Sequence, residues 1–585
     1  MDTGLTNRDN KRTSSATQLE EQIAAEHARM LREAGLSTEP AHHYQRPVER
    51  PFTREERAHV TILFGGLSFH HDRLLQAGLE GLGYKADRIP TPTKLDFQTG
   101  KEYGNNGQCN PTYFTVGALV NYLKRLRDKE GLPTEKILSD YVFVTGGACG
   151  PCRFGMYEAE YRLALCNAGF DGFRVILFDR DGGYSQSDME AGLEMNLPFF
   201  LMFLNAVFIG DLLNAVAYHV RPYEIETGKT NKVFEKCLTI CEQALREKDH
   251  RTWKGNTLQK LIAKIVPGDS NINGWFLDQI GSKHYIRALK ECRKIIEEEI
   301  EVDYTRPKPI VKIMGEFWAQ TTEGDGNFNM FPFLENEGAE VLVEPVATYV
   351  DYSLNYYRQY TFDRHGISDD DEPVSFWNFK KQLRLKLDYG RNAFFFYLVQ
   401  KILTREYNRL RQALDSTLHP LANQLELERI AHPYYNSRAE GGEGHLEVAK
   451  NIYYINRDLA HMVLSLKPFG CLPSTQSDGV QAAVLANYPD IIFLPIETSG
   501  EGDINAYSRT QMALGEAKLK CKNEFKAVLQ RTGYSLDEVH DYIKQHRELC
   551  RPLQDVPVSN GLVGRAANFI QYVAKLMDQD PVWRA

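Results

Sequence analysis

Apolar residues are sparse at the start of the chain. Residues 17–35 are rich in Glu, Ala, Leu and Arg, and this pattern predicts one exposed helix. Residues 37–53 hold Pro40, Pro47 and Pro51 and predict an extended linker. The pattern then changes. A β-rich run at 59–64 ends in Gly65–Gly66, a helical pattern covers 72–83, and a second short run at 85–89 stops at Pro90. Strand, helix and strand in that order predict a βαβ unit on a parallel sheet. The same succession recurs with a run at 140–144 ending in Thr145–Gly146–Gly147, a helix over 155–168 and a strand over 174–178. Residues 187–300 read as mostly helical. A second set begins near 306, with an apolar run at 309–314 leading into Gly315–Glu316, a helix around 329–337 and a strand at 339–344. Residues 372–428 are helical and charged, 458–466 leads toward Pro468–Phe469–Gly470–Cys471, 490–495 predicts a buried strand, and the chain after about 520 is helical.

These elements predict an α/β protein. Two parallel-sheet domains of Rossmann or flavodoxin-like type face each other across a cleft, with helical insertions and terminal helical extensions. The expected divisions are 1–57 (helical extension and linker), 58–305 (first α/β domain with a helical insertion), 306–520 (second α/β domain) and 521–585 (helical tail). Ligands of open parallel sheets bind beyond the carboxyl ends of the strands. The loops after residues 64, 145, 314 and 466 are therefore the first places to look for chemistry.

Composition narrows the class. Hydrophobic residues make up 42% and charged residues 25% of the 585, enough apolar surface to build large cores. The formal net charge of −9 argues against a nucleic-acid binder. Residues 1–16 are polar and lack the apolar core of a signal peptide. The most apolar stretch, 197–210, is too short for a bilayer of about 30 Å and predicts a buried helix instead. A cytoplasmic protein with no membrane partner is expected. Ten cysteines in a chain this long do not make a secreted disulfide framework.

Cys166, Cys237, Cys241 and Cys292 fall in helical patterns among apolar neighbours and read as core residues. Cys521 and Cys550 lie in the charged tail and read as incidental. The other four differ, because Gly or Pro flanks each of them. Cys109 lies in Gly107–Gln108–Cys109–Asn110–Pro111, Cys149 and Cys152 form Cys149–Gly150–Pro151–Cys152, and Cys471 lies in Pro468–Phe469–Gly470–Cys471–Leu472–Pro473. Nearby helix N-termini are expected to lower these thiol pKa values. Thiolates converging from several loops could hold an iron–sulfur cluster. Cys149 and Cys152 alone could instead form the dithiol of a thiol–disulfide oxidoreductase. Structural zinc has the least support, since only one Cys-x-x-Cys pair exists.

Gly150–Pro151–Cys152–Arg153–Phe154–Gly155–Met156–Tyr157 and Pro468–Phe469–Gly470–Cys471–Leu472–Pro473 together resemble the 2-hydroxyacyl-CoA dehydratase / benzoyl-CoA reductase superfamily. The resemblance is greatest to its branch described as acyl-CoA dehydratase activase-related, or CoA activase, proteins. Cys109–Asn110–Pro111, Arg221–Pro222–Tyr223–Glu224, Gly315–Glu316–Phe317–Trp318 and residues 334–344 extend it over roughly 58–518. The resemblance implies α/β domains with an oxygen-sensitive iron–sulfur cluster, of 4Fe-4S type, between them. Its ligands would be Cys109, Cys152 and Cys471, with Cys149 as a fourth ligand or in place of Cys152. It also implies a separate ATPase activase of actin-like fold as electron donor, and a small substrate that is reduced or dehydrated by an oxidoreductase or lyase. A second cluster subunit or a homodimer would complete the assembly. No G-x-x-x-x-G-K-[ST] loop is present, so ATP would enter only through the partner chain. A non-catalytic, cluster-carrying scaffold subunit is the other expectation from this resemblance.

Further candidates surround these motifs. Glu316 follows a strand and could serve as acid, base or helix cap, ahead of a flexible polar loop at 323–327. Arg153, beside Cys152, could hold an anionic substrate. His432, Glu440, Glu443 and His445 border a Gly-rich loop that reads as solvated, with metal or acid–base work as the alternative. Asp72 is the expected cap of the helix after the first strand, with His70 and His71 near a cleft. Residues 498–502 could bind phosphate through backbone N–H groups.

Overall fold

Two parallel sheets organise the chain. In order, the elements of the first half are β1 (Thr61–Phe64), α1 (Phe69–Gly81), β2 (Lys85–Arg88), α2 (Lys94–Tyr103), α3 (Asn110–Asp128), α4 (Thr134–Asp140), β3 (Tyr141–Gly146), α5 (Tyr157–Asn167), β4 (Val175–Asp179), β5 (Gly183–Tyr184), α6 (Leu197–Val220), α7 (Lys229–Glu247) and α8 (His284–Glu299). The second half continues with β6 (Ile310–Gly315), α9 (Phe317–Thr321), α10 (Met330–Asn336), β7 (Glu340–Leu342), α11 (Val346–Asp363), α12 (Phe379–Leu414), α13 (Gln424–Ala431), α14 (Gly444–Asn456), β8 (Met462–Pro468), α15 (Leu472–Asn487), β9 (Phe493–Thr498), α16 (Asp503–Thr532), α17 (Leu536–Gln545) and α18 (Arg565–Gln579). The computed structural model describes residues 49–147, 152–179, 183–184, 192–248, 282–365, 379–439, 441–581 and 583, together with helical positions at 23, 25–30, 32–33, 274–275 and 278. The chain divides into two units, Met1–Pro47 and Val48–Ala585. In the first, the described positions are helical and mostly exposed, as the Glu- and Arg-rich pattern predicts.

The first sheet runs β2-β1-β3-β4, all parallel, with β5 added antiparallel at its edge. The second runs β7-β6-β8-β9, also all parallel. In each half the order is second, first, third, fourth. The strand order therefore reverses between β1 and β3 and again between β6 and β8, the positions at which open α/β sheets take their ligands. Apolar runs closed by Gly or Pro made most of these strands legible. The last strand begins later than expected, at Phe493, because residues 490–492 are still completing the turn out of α15.

The longest apolar helix is α6. Asn196 caps it by accepting from the Phe199 amide at 3.1 Å, and it continues through Asp211 and Asn214 to Val220. The apolar run at 197–210 thus underestimated its length. Residues Leu197–Tyr223 are long and apolar enough to cross a membrane, yet 72% of their apolar 18-residue window is buried inside the protein. One core cluster joins α6 to α7, α8 and α12 and to the C-terminal helices. Asp211 survives there because it is fully used. Its carboxylate accepts from Val346 N at 2.6 Å and Ala347 N at 2.8 Å, capping α11, and meets His71 Nε2 at 3.1 Å.

Several local expectations change. The cap of α1 is Ser68, whose hydroxyl accepts from the His71 amide; Asp72 lies one turn in and is buried. Cys166 is exposed, whereas Cys237, Cys241 and Cys292 are buried as expected. Cys521 and Cys550 are also buried, because α16 and the segment before α18 pack inward rather than forming a solvated tail. The loop at 323–327 is fastened. Glu323 accepts from Phe69 N at 3.1 Å and Tyr218 OH at 2.8 Å, and Asn327 is buried.

Candidate functional site

Cys109, Cys152 and Cys471 share one local setting. Cys109 is the N-cap of α3, Cys471 is the N-cap of α15, and Cys152 precedes a single 3-10 turn, Arg153–Met156. Each has extended backbone, and no thiol caps its own helix. Pro111 and Pro473 stand in the first turns of α3 and α15, where a missing N–H costs nothing. Cys149 and Glu440 lie outside the described residues.

The three loops meet. Asn110 N donates to the Phe469 carbonyl at 3.0 Å, which joins the start of α3 to the loop before α15. Gly470 has φ +80, and a Cβ there would come within 3.3 Å of Cys109 Cα, so a bare α-carbon lets the two loops touch. The Arg153 guanidinium donates to the Gly107 carbonyl. Arg153 therefore ties the Cys152 turn to the Cys109 loop. Cys109 Sγ lies 3.0 Å from Tyr157 OH and 3.3 Å from Thr112 Oγ1.

Glu316 stands among them. It follows β6 and caps α9, accepting from Ala319 N at 3.0 Å, while its own amide donates to the Leu466 carbonyl. Gly315 makes this approach feasible. Its φ is +127, and a Cβ would run into the Leu466 carbonyl. Negative charge on Glu316 reaches all three thiols and raises their pKa values, and Cys109 acts likewise on Cys152. The larger cause in each case is burial. It pushes Cys152 up to about 12 and lifts Cys109 and Cys471 as well. The expected lowering by helix N-termini is thus outweighed by loss of water.

Two carboxyls here are poised near neutrality. Burial pushes Glu316 up to about 7 and Glu443 up to about 8. Glu443 is buried rather than solvated, and Gln320 Nε2 donates to it at 3.0 Å. Beneath them, Glu447 accepts from Ser474 Oγ at 2.8 Å and from Ser477 Oγ, and pairs with Lys467 at 3.4 Å. This fixes the first turns of α15 behind Cys471. Tyr157, Thr112, Gln320 and Glu447 were not singled out in the sequence. Only Ser474 and Ser477, three apart on one helix face, hinted at a shared acceptor.

Other candidates lie elsewhere. His432 ends α13 and is exposed, and burial against Tyr352 holds His445 down at about 4. His71 belongs to the Asp211 cap, and His70 Nδ1 meets Asn214 Oδ1 at 2.5 Å. Residues 498–502 lead into α16, and Gly500 packs on the Phe97 ring.

The donor set can be tested against a cluster. Among the described residues no group of three or more His, Cys, Asp or Glu side chains is set to hold a metal ion. A cluster differs, since its thiolates bind different iron atoms. Three thiols from three loops suit that requirement. So does Asn110 Nδ2, a buried donor next to Cys109 with no partner in the protein, because cluster sulfurs accept such N–H groups. No protein-family model matches the sequence, and no curated protein matches it significantly.

Proposed function

We propose that the chain is an iron–sulfur protein of the 2-hydroxyacyl-CoA dehydratase type, the reductase or dehydratase component of a larger system. One observation carries the reading: cysteines from three separate loops gather at helix starts around Glu316. Cys109, Cys152 and Cys471 would hold the cluster, and its metal would deprotonate the thiols outright despite their burial. When bound, such a cluster supplies one-electron transfer at low potential. Thr112, Tyr157 and Asn110 donate toward the Cys109 side. Arg153 keeps the Cys152 turn and the Cys109 loop in register. Burial puts Glu316 at about 7 and Glu443 at about 8, so both exchange protons near neutral pH and can deliver them to a small substrate admitted beside the thiols. The substrate would enter a cleft between two α/β domains. Electrons come from a partner ATPase activase of actin-like fold, and a second cluster subunit or a second copy completes the assembly, all in the cytoplasm. A dithiol oxidoreductase would need only Cys149 and Cys152, and the approach of the Cys109 and Cys471 loops to the Cys152 turn favours the cluster reading over it.

Iron and acid-labile sulfide on anaerobically purified protein test this. The expected result is about four irons per chain, lost in Cys109→Ala, Cys152→Ala and Cys471→Ala but retained in Glu316→Gln. Iron-free protein after anaerobic purification and attempted reconstitution sinks the proposal.

A further inference from the structure

The two halves of α12 differ. Tyr407, Leu410 and Leu414, near its C-terminus, are buried in the large core. Toward its N-terminus one side packs on α11, where Phe362 meets Tyr389 at 4.7 Å and Phe396 at 6.1 Å between ring centroids. Another face is open. Leu383, Leu387, Phe394, Tyr397 and Leu398 are 43 to 66% exposed. Positions 383, 387, 390, 394 and 397 recur at alternating spacings of four and three, the seam of a helix that packs lengthwise on another helix. Gly390 sits at the middle of the seam with open space in front of it. An exposed mid-helix glycine is unfavourable relative to alanine. The missing Cβ leaves room there for a partner backbone to come close.

Charge selects the partner. Arg384, Lys386 and Lys401 are exposed along the seam and form no ion pair among the described residues. Arg391 is exposed too, paired at 3.2 Å with Asp388. This basic border stands out on a chain of net charge −9. Two copies paired seam to seam would bring the unpaired Arg384, Lys386 and Lys401 of both into one interface and concentrate like charge there. A helix with acidic flanks would instead satisfy both the seam and its border.

We infer that the exposed seam of α12 docks an acidic amphipathic helix of a partner protein. The test uses the full chain and a fluorescein-labelled synthetic peptide of three heptads, with leucine at the core positions and glutamate at the flanks. A lysine-flanked twin is the control. The acidic peptide should bind about ten-fold or more tightly than its twin, and added salt should weaken it. Leu387→Asp and Phe394→Asp should each weaken it by about ten-fold or more with unchanged circular dichroism. Arg384→Glu combined with Lys386→Glu should invert the preference, a result that does not depend on the apolar variants folding. Equal binding of both peptides, or binding of neither, overturns the inference. Self-association in sedimentation equilibrium that Phe394→Asp abolishes overturns it in favour of a second copy. Adsorption to phosphatidylglycerol–phosphatidylcholine vesicles without peptide binding overturns it in favour of a lipid surface.

Discussion

Asp72 shows how burial sets single residues. It lies in the first turn of α1, and loss of water pushes its carboxyl up to about 7, with His71 pulling the other way. An acid raised on folding favours the folded state while it is protonated. That contribution is complete below about pH 4 and disappears as pH rises through about 7. Asp72→Asn should therefore be more stable than wild type at pH 8, by on the order of 1 kcal/mol or more. The difference should vanish near pH 4, and urea melts at the two pH values measure it. No sequence pattern reveals this, since Ser68 and Asp72 are both plausible caps and both are buried once α6 packs over α1. The cysteines were legible as a set by their Gly and Pro flanks. Their meeting was not, because it depends on the Asn110–Phe469 hydrogen bond and on Gly470 beside Cys109, contacts between remote parts of the chain.

Among the elements, β6 most directly positions the site. Its six residues are buried throughout, and Gly315 at its end lets the chain pass close to β8 before Glu316 begins α9. Replacing Gly315 with Ala adds a side chain at φ +127 and pushes it into the Leu466 backbone. Gly315→Ala should cost roughly 3 kcal/mol or more, read as a lower denaturant midpoint with unchanged slope. On the proposed cluster reading the surviving folded protein should hold less iron, since the Glu316 amide is bonded to Leu466, on the strand that leads into the Cys471 loop. Most strands were readable because their apolar runs stop at Gly or Pro, whereas the register between them depends on partners that no local window contains. The length of α6 was misread for a similar reason. Asp211 and Asn214 look like the end of an apolar segment until their partners in α11 and α1 are seen.

At the scale of the molecule, residues 48–585 hold together through contacts between the halves. Glu323 reaches Phe69 and Tyr218, Tyr304 OH donates to the Pro552 carbonyl at 2.6 Å, and Tyr223 OH donates to Glu340 at 2.9 Å. The expected boundary near 520 falls within α16, so the tail is continuous with the second sheet's helical layer. Thermal unfolding should accordingly be one transition seen together by tryptophan fluorescence and far-UV circular dichroism. Asp211→Ala should lower its midpoint, a loss of about 3 kcal/mol, since it strips the α11 cap and leaves the buried His71 Nε2 without a partner.

That carboxylate has a consequence for how the chain is made. Asp211 is translated inside the most apolar helix of the protein, and the amides that satisfy it arrive 135 residues later. Until then, of the partners it has in the fold, only His71 is in place for a carboxylate set in a segment that needs shelter from water. A ribosome several hundred residues into this message therefore displays a helix that can neither bury itself nor stay safely exposed. A chain truncated before Val346 lacks the two amides that Asp211 caps, and should be less soluble than one that continues through α11.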